Sequence, residues 1–175
     1  MEFTRSIASA ALACSVLSLT ACSEGEPSTT TSASESTPAW ILASAPADAR
    51  SVTDIKASAA EGDEVVLRGR IGGRHEPIGT GSPVFTVIDL GLAHCGQNEG
   101  DSCPTPWDYC CETPETITAN SATVQIVNTD GGSIGTSPAD HGFAPLDEVI
   151  VVGSVATRPD DRVLTIRATG VHRVQ

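Results

Sequence analysis

The chain has 175 residues and a formal net charge of −12, and only 3% of its residues are aromatic. An acidic surface repels phosphate backbones and offers no basic patch to anionic lipid, and scarce aromatic rings leave few platforms for stacking bases. Length and charge therefore allow one domain with one core and argue against a nucleic-acid partner.

The first 21 residues have the features of an export signal. Arg5 supplies a positive charge, and a run of apolar and small residues from 7 to 19 is too short to span a bilayer. The run ends in Leu19-Thr20-Ala21-Cys22, which resembles the bacterial lipobox. That resemblance implies cleavage before Cys22 and lipid, such as palmitate, on Cys22.

The lipobox predicts that the mature chain is exported, anchored to a bacterial cell membrane and exposed to the periplasm or the exterior. The alternative is an ordinary cleaved signal peptide followed by a free cysteine. With Cys14 lost in the signal and Cys22 lipidated, four of the six cysteines remain for the folded part. Disulfides persist in such a compartment.

Residues 22–50 are rich in Ser, Thr, Ala, Glu and Pro, and are predicted to form a flexible tether. Trp40-Ile41-Leu42 interrupts this composition, either as a segment that packs on the domain edge or as a docking motif. The folded domain is predicted over residues 51–175.

Within the domain, Ser51 is placed to cap a short helix, with Asp54 at the capping-box position. Alternating and β-branched runs then predict five strands, with a tight connection at Pro159-Asp160-Asp161 between the last two. The predicted strands are residues 64–71, 84–90, 122–128, 148–157 and 162–169, the last extended by 171–174.

Gly62–Ile71 (GDEVVLRGRI) resembles the first strand of bacterial OB-fold domains. The later runs Phe85–Asp89, Val149–Val155 and Leu164–Val171 match the second, fourth and fifth strands of that family in order and spacing. The resemblance implies an all-β fold, a small five-stranded OB-like barrel with a short N-terminal helix. Residues 131–146 lack a helical pattern, so the helix that OB-folds usually carry between strands three and four is predicted to be missing or reduced.

The stretch Cys103–Glu112 (CPTPWDYCCE) resembles the signature of an uncharacterised family of exported OB-fold lipoproteins from planctomycete-type bacteria. It lies in a segment of about 30 residues between strands two and three, and segments of this length without secondary structure are usually functional or constrained. The resemblance carries no assigned activity.

Two disulfides among Cys95, Cys103, Cys110 and Cys111 are one interpretation of this segment. A Cys110–Cys111 bridge would close a strained ring, so each of these two cysteines is predicted to pair with Cys95 or Cys103. A metal site for Zn or Cu is the alternative, with His94 and Asp108 as further ligands, although the Cys-x2-Cys spacing typical of zinc is absent. Redox-active thiols are the third.

Trp107, Asp108 and Tyr109 are candidate ligand contacts, because aromatic residues are otherwise scarce and OB-folds bind through loops around the barrel mouth. The alternative is that both rings pack over the cysteines. The sequence contains no Ser–His–acid pattern, P-loop or dinucleotide fingerprint. It therefore favours a non-enzymatic binding module that requires no cofactor and contacts an envelope protein or a small ligand. A metal-binding or thiol-redox lipoprotein is the alternative.

Overall fold

Buried and exposed side chains alternate along the strands, and the buried set forms the inside of a barrel. In the strand Glu64–Ile71, for example, Val65, Leu67, Gly69 and Ile71 are buried, while Arg68 faces solvent. The computed structural model describes residues 37–97 and 100–175. The predicted signal, the predicted lipidation site Cys22 and most of the predicted tether lie outside this range. The elements are β1 (Arg50–Ser51), α1 (Val52–Ser58), β2 (Glu64–Ile71), β3 (Val84–Ile88), α2 (Pro114–Asn120), β4 (Ser121–Ile126), β5 (Glu148–Val155) and β6 (Thr165–Arg173).

The strand order closes the sheet. The sheet runs β1-β2-β3-β4-β6-β5, and β2 also pairs with β5. β4 and β6 are parallel, whereas β2 is antiparallel to both β3 and β5. The five longer strands therefore form a closed barrel, and the predicted OB-like fold is confirmed. No helix within residues 37–97 and 100–175 is long and apolar enough to cross a membrane.

Two glycines let the barrel strands approach closely. Gly153 lies at a register shift between β5 and β6, where an added Cβ would meet the Arg167 carbonyl oxygen. A Cβ on Gly69 would lie 2.9 Å from the Ile88 carbonyl oxygen. Glycine fits these positions because it has no side chain, and such glycines are typical of bulges and tight bends in barrel strands.

Several predicted boundaries differ from the structure. β3 ends at Ile88 rather than at residue 90, β5 ends at Val155, and the last predicted strand and its extension form one strand, β6. The segment between β3 and β4 was expected to lack regular structure, but it contains a 3-10 turn at Pro106–Asp108 and the helix α2. The Thr113 hydroxyl caps α2, and proline occupies its first position. This is a helix start that the sequence displays.

The helix expected to be missing between the third and fourth barrel strands is replaced by a 3-10 turn at Pro138–His141. The predicted N-terminal helix is present as α1. Ser51 caps it by accepting a 3.0 Å hydrogen bond from the Asp54 backbone N–H. Val52 and Ile55 of α1 are fully buried in the barrel core.

The apolar patch within the predicted tether packs on the barrel. Trp40 is buried against His141 and Phe143. The backbone N–H of Leu42 donates to the Val171 carbonyl at 2.9 Å, and the Val171 N–H donates to the Trp40 carbonyl at 2.7 Å. The C-terminal part of the predicted tether is therefore attached to the edge of β6.

Candidate functional site

The candidate site is the cysteine loop, whose described residues are 94–97 and 100–113, between β3 and α2. The chain leaves β3 at Asp89, a buried carboxylate. Asp89 accepts the Thr53 backbone N–H at 2.9 Å, the Thr53 hydroxyl at 2.8 Å and the Gly91 N–H at 2.8 Å. One side chain thus ties the first turn of α1 to the segment that leads into the loop. Burial acts to raise the pKa of Asp89, but these hydrogen bonds outweigh it and lower the pKa overall.

The loop is fastened to the barrel just after β2. The Gly73 N–H donates to the Trp107 carbonyl at 2.8 Å, and the indole Nε1 of Trp107 donates to the His75 carbonyl at 3.0 Å. A Cβ on Gly72 would lie 2.9 Å from the Trp107 carbonyl oxygen and 3.0 Å from the Tyr109 ring. The close approach of the two chain segments therefore requires glycine at position 72.

A tight turn presents the two adjacent cysteines. The Thr105 hydroxyl donates to Asp108 Oδ2 at 2.7 Å, and the Cys110 backbone N–H donates to Asp108 Oδ1 at 2.9 Å. Tyr109 between them has φ of 58° and ψ of 36°, in the left-handed region that a bulky residue rarely adopts. Such a conformation costs about 1–3 kcal/mol and persists only where its surroundings impose it.

The four sulfur atoms of the loop converge. The Sγ of Cys95 lies 3.8 Å from the Sγ of Cys110 and 3.8 Å from that of Cys111, and Cys103 Sγ lies 3.4 Å from Cys110 Sγ. Among the described residues all four thiols are free. One ligand atom each of Cys95, Cys103, Cys110 and Asp108 lie within 4.8 Å of one another. This set contains one of the two adjacent cysteines, not both.

The four thiols differ in exposure, and the pKa values of Cys95, Cys110 and Cys111 are shifted in different directions. Cys95 is buried, Cys103 half-buried, and Cys110 and Cys111 exposed. Burial acts to raise the pKa of Cys95, but the Cys111 backbone N–H and the neighbouring thiols outweigh it and lower the pKa overall. The hydrogen bond with Cys103 raises the pKa of Cys110, and the hydrogen bond with Cys95 raises that of Cys111. Within the cluster, negative charge is therefore favoured on Cys95.

The Asp108 carboxylate places oxygen atoms that can bind a metal ion beside these sulfurs. Burial acts to raise the pKa of Asp108, but the hydrogen bonds from Thr105 and Cys110 hold it below its ordinary value. Each carboxylate oxygen accepts one of these bonds and keeps a further lone pair. Asp108 is thus oriented and ionised while remaining able to bind a cation.

The other predicted site residues lie outside this cluster. His94 Nδ1 is 2.7 Å from the Cys95 carbonyl oxygen, to which it donates, and the histidine is not part of the donor set. Tyr109 is fully buried, so the predicted ligand contact through Tyr109 disagrees with the structure. Its ring instead fills the space beneath the loop. Trp107 is partly exposed and remains able to make a contact.

A buried polar pair lies beneath the loop. The Tyr109 hydroxyl and Arg70 Nη1 are both buried, and neither makes a hydrogen bond within the part of the chain that the structure describes. Burial raises the pKa of Tyr109, while the nearby Arg70 guanidinium acts to lower it and the Cys95 thiol acts to raise it. The guanidinium and the cysteine cluster thus adjoin the same ring, with the positive charge on the barrel side.

Sequence reasoning missed the segment that lies beside the cysteine loop. Arg74, His75 and Glu76 are exposed and line a cavity of about 470 Å³. His75 is joined to Trp107 through its carbonyl oxygen, which accepts the hydrogen bond of the indole N–H. A wider groove of about 630 Å³ lies elsewhere, on the outer face of β4 and β6 around Arg167. Its lining includes neither cysteine nor histidine, so this groove is separate from the cysteine loop.

No protein-family model and no curated protein sequence matches this chain. Among solved structures, the hypothetical protein ygiW from E. coli is similar over 79% of this chain and 100% of that one, with 13% sequence identity and a TM-score of 0.36. A similarity at this TM-score does not identify the fold, which is defined by the strand pairings of this chain. The resemblance to exported planctomycete lipoproteins stays a prediction.

Proposed function

We propose that this chain is a non-enzymatic binding module of a bacterial envelope, that lipid on Cys22 anchors it to a membrane, and that the cysteine loop is its contact surface. The observation that carries this proposal is the way the loop is held: the strained turn at Tyr109 and the close contact at Gly72 keep a segment with four cysteines against the barrel. Strain of this kind clusters at functional sites.

The exposed groups of this surface define what it can contact. Trp107 presents part of an indole, and Arg74, His75 and Glu76 lie alongside it. An amphipathic ring beside mixed charges suits a protein segment or a small polar ligand. In OB-like barrels the loops around the barrel mouth are a common place for such contacts.

The membrane anchor is tested by replacing one cysteine at a time in the full chain. Cys22→Ser should abolish labelling by a radioactive fatty acid and release the protein from the membrane fraction. Cys14→Ser, a change in the predicted signal, is the matched control and should leave both unchanged. Full labelling of the Cys22→Ser variant would refute the anchor.

The contact surface is tested by crosslinking in native membranes with the full chain. Trp107→Ala should remove the crosslinked products, whereas Val163→Ala, which trims an exposed apolar side chain on a different loop, should retain them. Far-UV circular dichroism establishes that both variants are folded. Products that persist in the folded Trp107→Ala variant would exclude the indole as the contact.

The second candidate function is a metal-binding or thiol-redox lipoprotein that uses the same loop. The convergence of three sulfurs and one carboxylate favours metal binding. The predicted disulfides are a competing way to close the loop, and the distances favour Cys103–Cys110 together with Cys95–Cys111. In either case the cysteines fix the surface that Trp107 presents.

A further inference from the structure

We infer that the cysteine loop holds one tetrahedral divalent metal ion of the zinc class, bound by the sulfurs of Cys95, Cys103 and Cys110 and by the Asp108 carboxylate. The inference rests on the proposed function, in which this loop is the functional surface, and names a ligand for it. The four residues provide one ligand atom each, and those atoms lie within 4.8 Å of one another.

The sulfur separations match a metal site better than a disulfide. A zinc–sulfur bond of 2.3 Å in a tetrahedron places neighbouring sulfurs about 3.8 Å apart. Cys95 and Cys110 are separated by 3.8 Å, and Cys103 and Cys110 by 3.4 Å. A disulfide needs about 2.05 Å, so each bridge would require sulfurs to move by more than an ångström.

The donor types select the class of ion. Thiolates bind Zn²⁺ and Cu⁺, whereas a carboxylate oxygen suits Zn²⁺ better than a soft monovalent ion. Three sulfurs and one oxygen complete four-coordination without using both adjacent cysteines. Each of the three thiols releases its proton to solvent as its sulfur binds.

Cys111 is not one of the four proposed metal ligands. Its sulfur is exposed and contacts that of Cys95, while its backbone N–H acts on the Cys95 sulfur. Such N–H groups stabilise negative charge on metal-bound sulfur. The backbone of Cys111 therefore supports a ligand, and its side chain is dispensable for metal binding.

The surroundings of the cluster suit a site with excess negative charge. Three thiolates and one carboxylate exceed the charge of a divalent ion by two. Arg70, whose buried Nη1 has no hydrogen-bond partner within residues 37–97 and 100–175, lies beneath the loop against Tyr109. Its guanidinium places a positive charge beside Tyr109, the residue between the proposed ligands Asp108 and Cys110.

The test uses the full chain isolated from membranes under inert gas. Native mass spectrometry measures the bound metal and the thiols. The metal-free chain is then titrated with Zn²⁺ alone in competition with a chromophoric chelator. We expect one zinc per chain and four intact thiols. Cys103→Ser and Asp108→Asn should each weaken zinc binding by at least the roughly 10–100-fold that follows loss of an outer-shell partner. Cys111→Ser is the matched control. Its dissociation constant for Zn²⁺ should stay within about threefold of the wild-type value.

Other results would overturn the inference. A mass lower by four hydrogens with no metal, or a folded, fully reduced chain that does not bind Zn²⁺, would each refute it. Loss of binding in Cys111→Ser with normal binding in Asp108→Asn would refute the donor set. Folding of each variant is followed by far-UV circular dichroism. Crosslinking that depends on Trp107 in a chain with two disulfides would leave the proposed function intact, so the two failures are distinguishable.

Discussion

The barrel and the cysteine loop are held in place by different forces. The barrel strands form a closed set of backbone ladders around apolar residues such as Leu67 and Ile166, which are fully buried. The described part of the loop, residues 94–97 and 100–113, has one 3-10 turn and is fixed by polar bonds, by the buried Tyr109 ring and by its cysteines. The stability of the barrel should therefore be insensitive to the state of the thiols, whereas the shape of the loop should depend on it.

The largest expected effect breaks the barrel itself. Leu67→Ala removes a fully buried side chain from β2 and should lower the free energy of unfolding by about 2–5 kcal/mol. Urea unfolding of the full chain measures the change. Val66→Ala, on the partly exposed face of the same strand, is the control and should cost much less. Equal losses in both variants would contradict the assignment of the inner and outer faces.

The second prediction concerns Asp89, where barrel and loop meet. Asp89→Asn replaces a charged acceptor of three hydrogen bonds and should cost about 1.5–3 kcal/mol at pH 7. The folded-state pKa of Asp89 is lowered, so its stabilising contribution is present above the unfolded pKa of about 3.9 and is lost as pH falls through the folded pKa. The wild-type advantage should therefore shrink below about pH 4. An advantage that grows on acidification would contradict the depressed pKa.

A third variant separates the loop from the barrel at their contact. In Gly72→Ala the new Cβ would meet the Trp107 carbonyl and the Tyr109 ring, so the loop must shift at a cost of about 1–3 kcal/mol. Alkylation of Cys95 in the native state should become faster. Gly79→Ala is the matched control in the same connection, because nothing lies within 4 Å of its added Cβ. Slow alkylation of Cys95 in both variants would show that Gly72 does not fasten the loop.

The sequence was more informative about the barrel than about the loop, and the reason is physical. Alternation of apolar and polar residues specifies which face of a strand is buried, so β2 was located to the residue. The register shift between β5 and β6 lies at Gly153, a glycine within a strand pattern, which is a common place for such an irregularity. Strand ends were less accurate because pairing partners, rather than local sequence, determine where a ladder stops.

The loop was identified but its arrangement was not. Spacing indicated a possible shared site for all four cysteines with His94 and Asp108, and it did not indicate that only Cys95, Cys103, Cys110 and Asp108 would come together. The burial of Tyr109 follows from a left-handed turn and from the close approach that Gly72 permits, and both depend on tertiary contacts. The neighbouring segment around His75 has no motif in the sequence, since its backbone carbonyl makes the contact.

The smallest expected effect concerns the Tyr109 hydroxyl, which lies between the barrel and the cysteine loop. Tyr109→Phe removes a buried oxygen that makes no hydrogen bond within the described part of the chain and keeps the ring that fills the space beneath the loop. Removing an unsatisfied polar group is close to neutral or stabilising, so the free energy of unfolding should change by less than about 1 kcal/mol. Tyr109→Leu, which keeps a buried apolar side chain but loses the ring, is the comparison and should cost more. A larger loss of unfolding free energy in Tyr109→Phe would mean that Arg70 donates a hydrogen bond to this hydroxyl. A charged hydrogen bond to the barrel, in addition to packing, would then hold the loop in place.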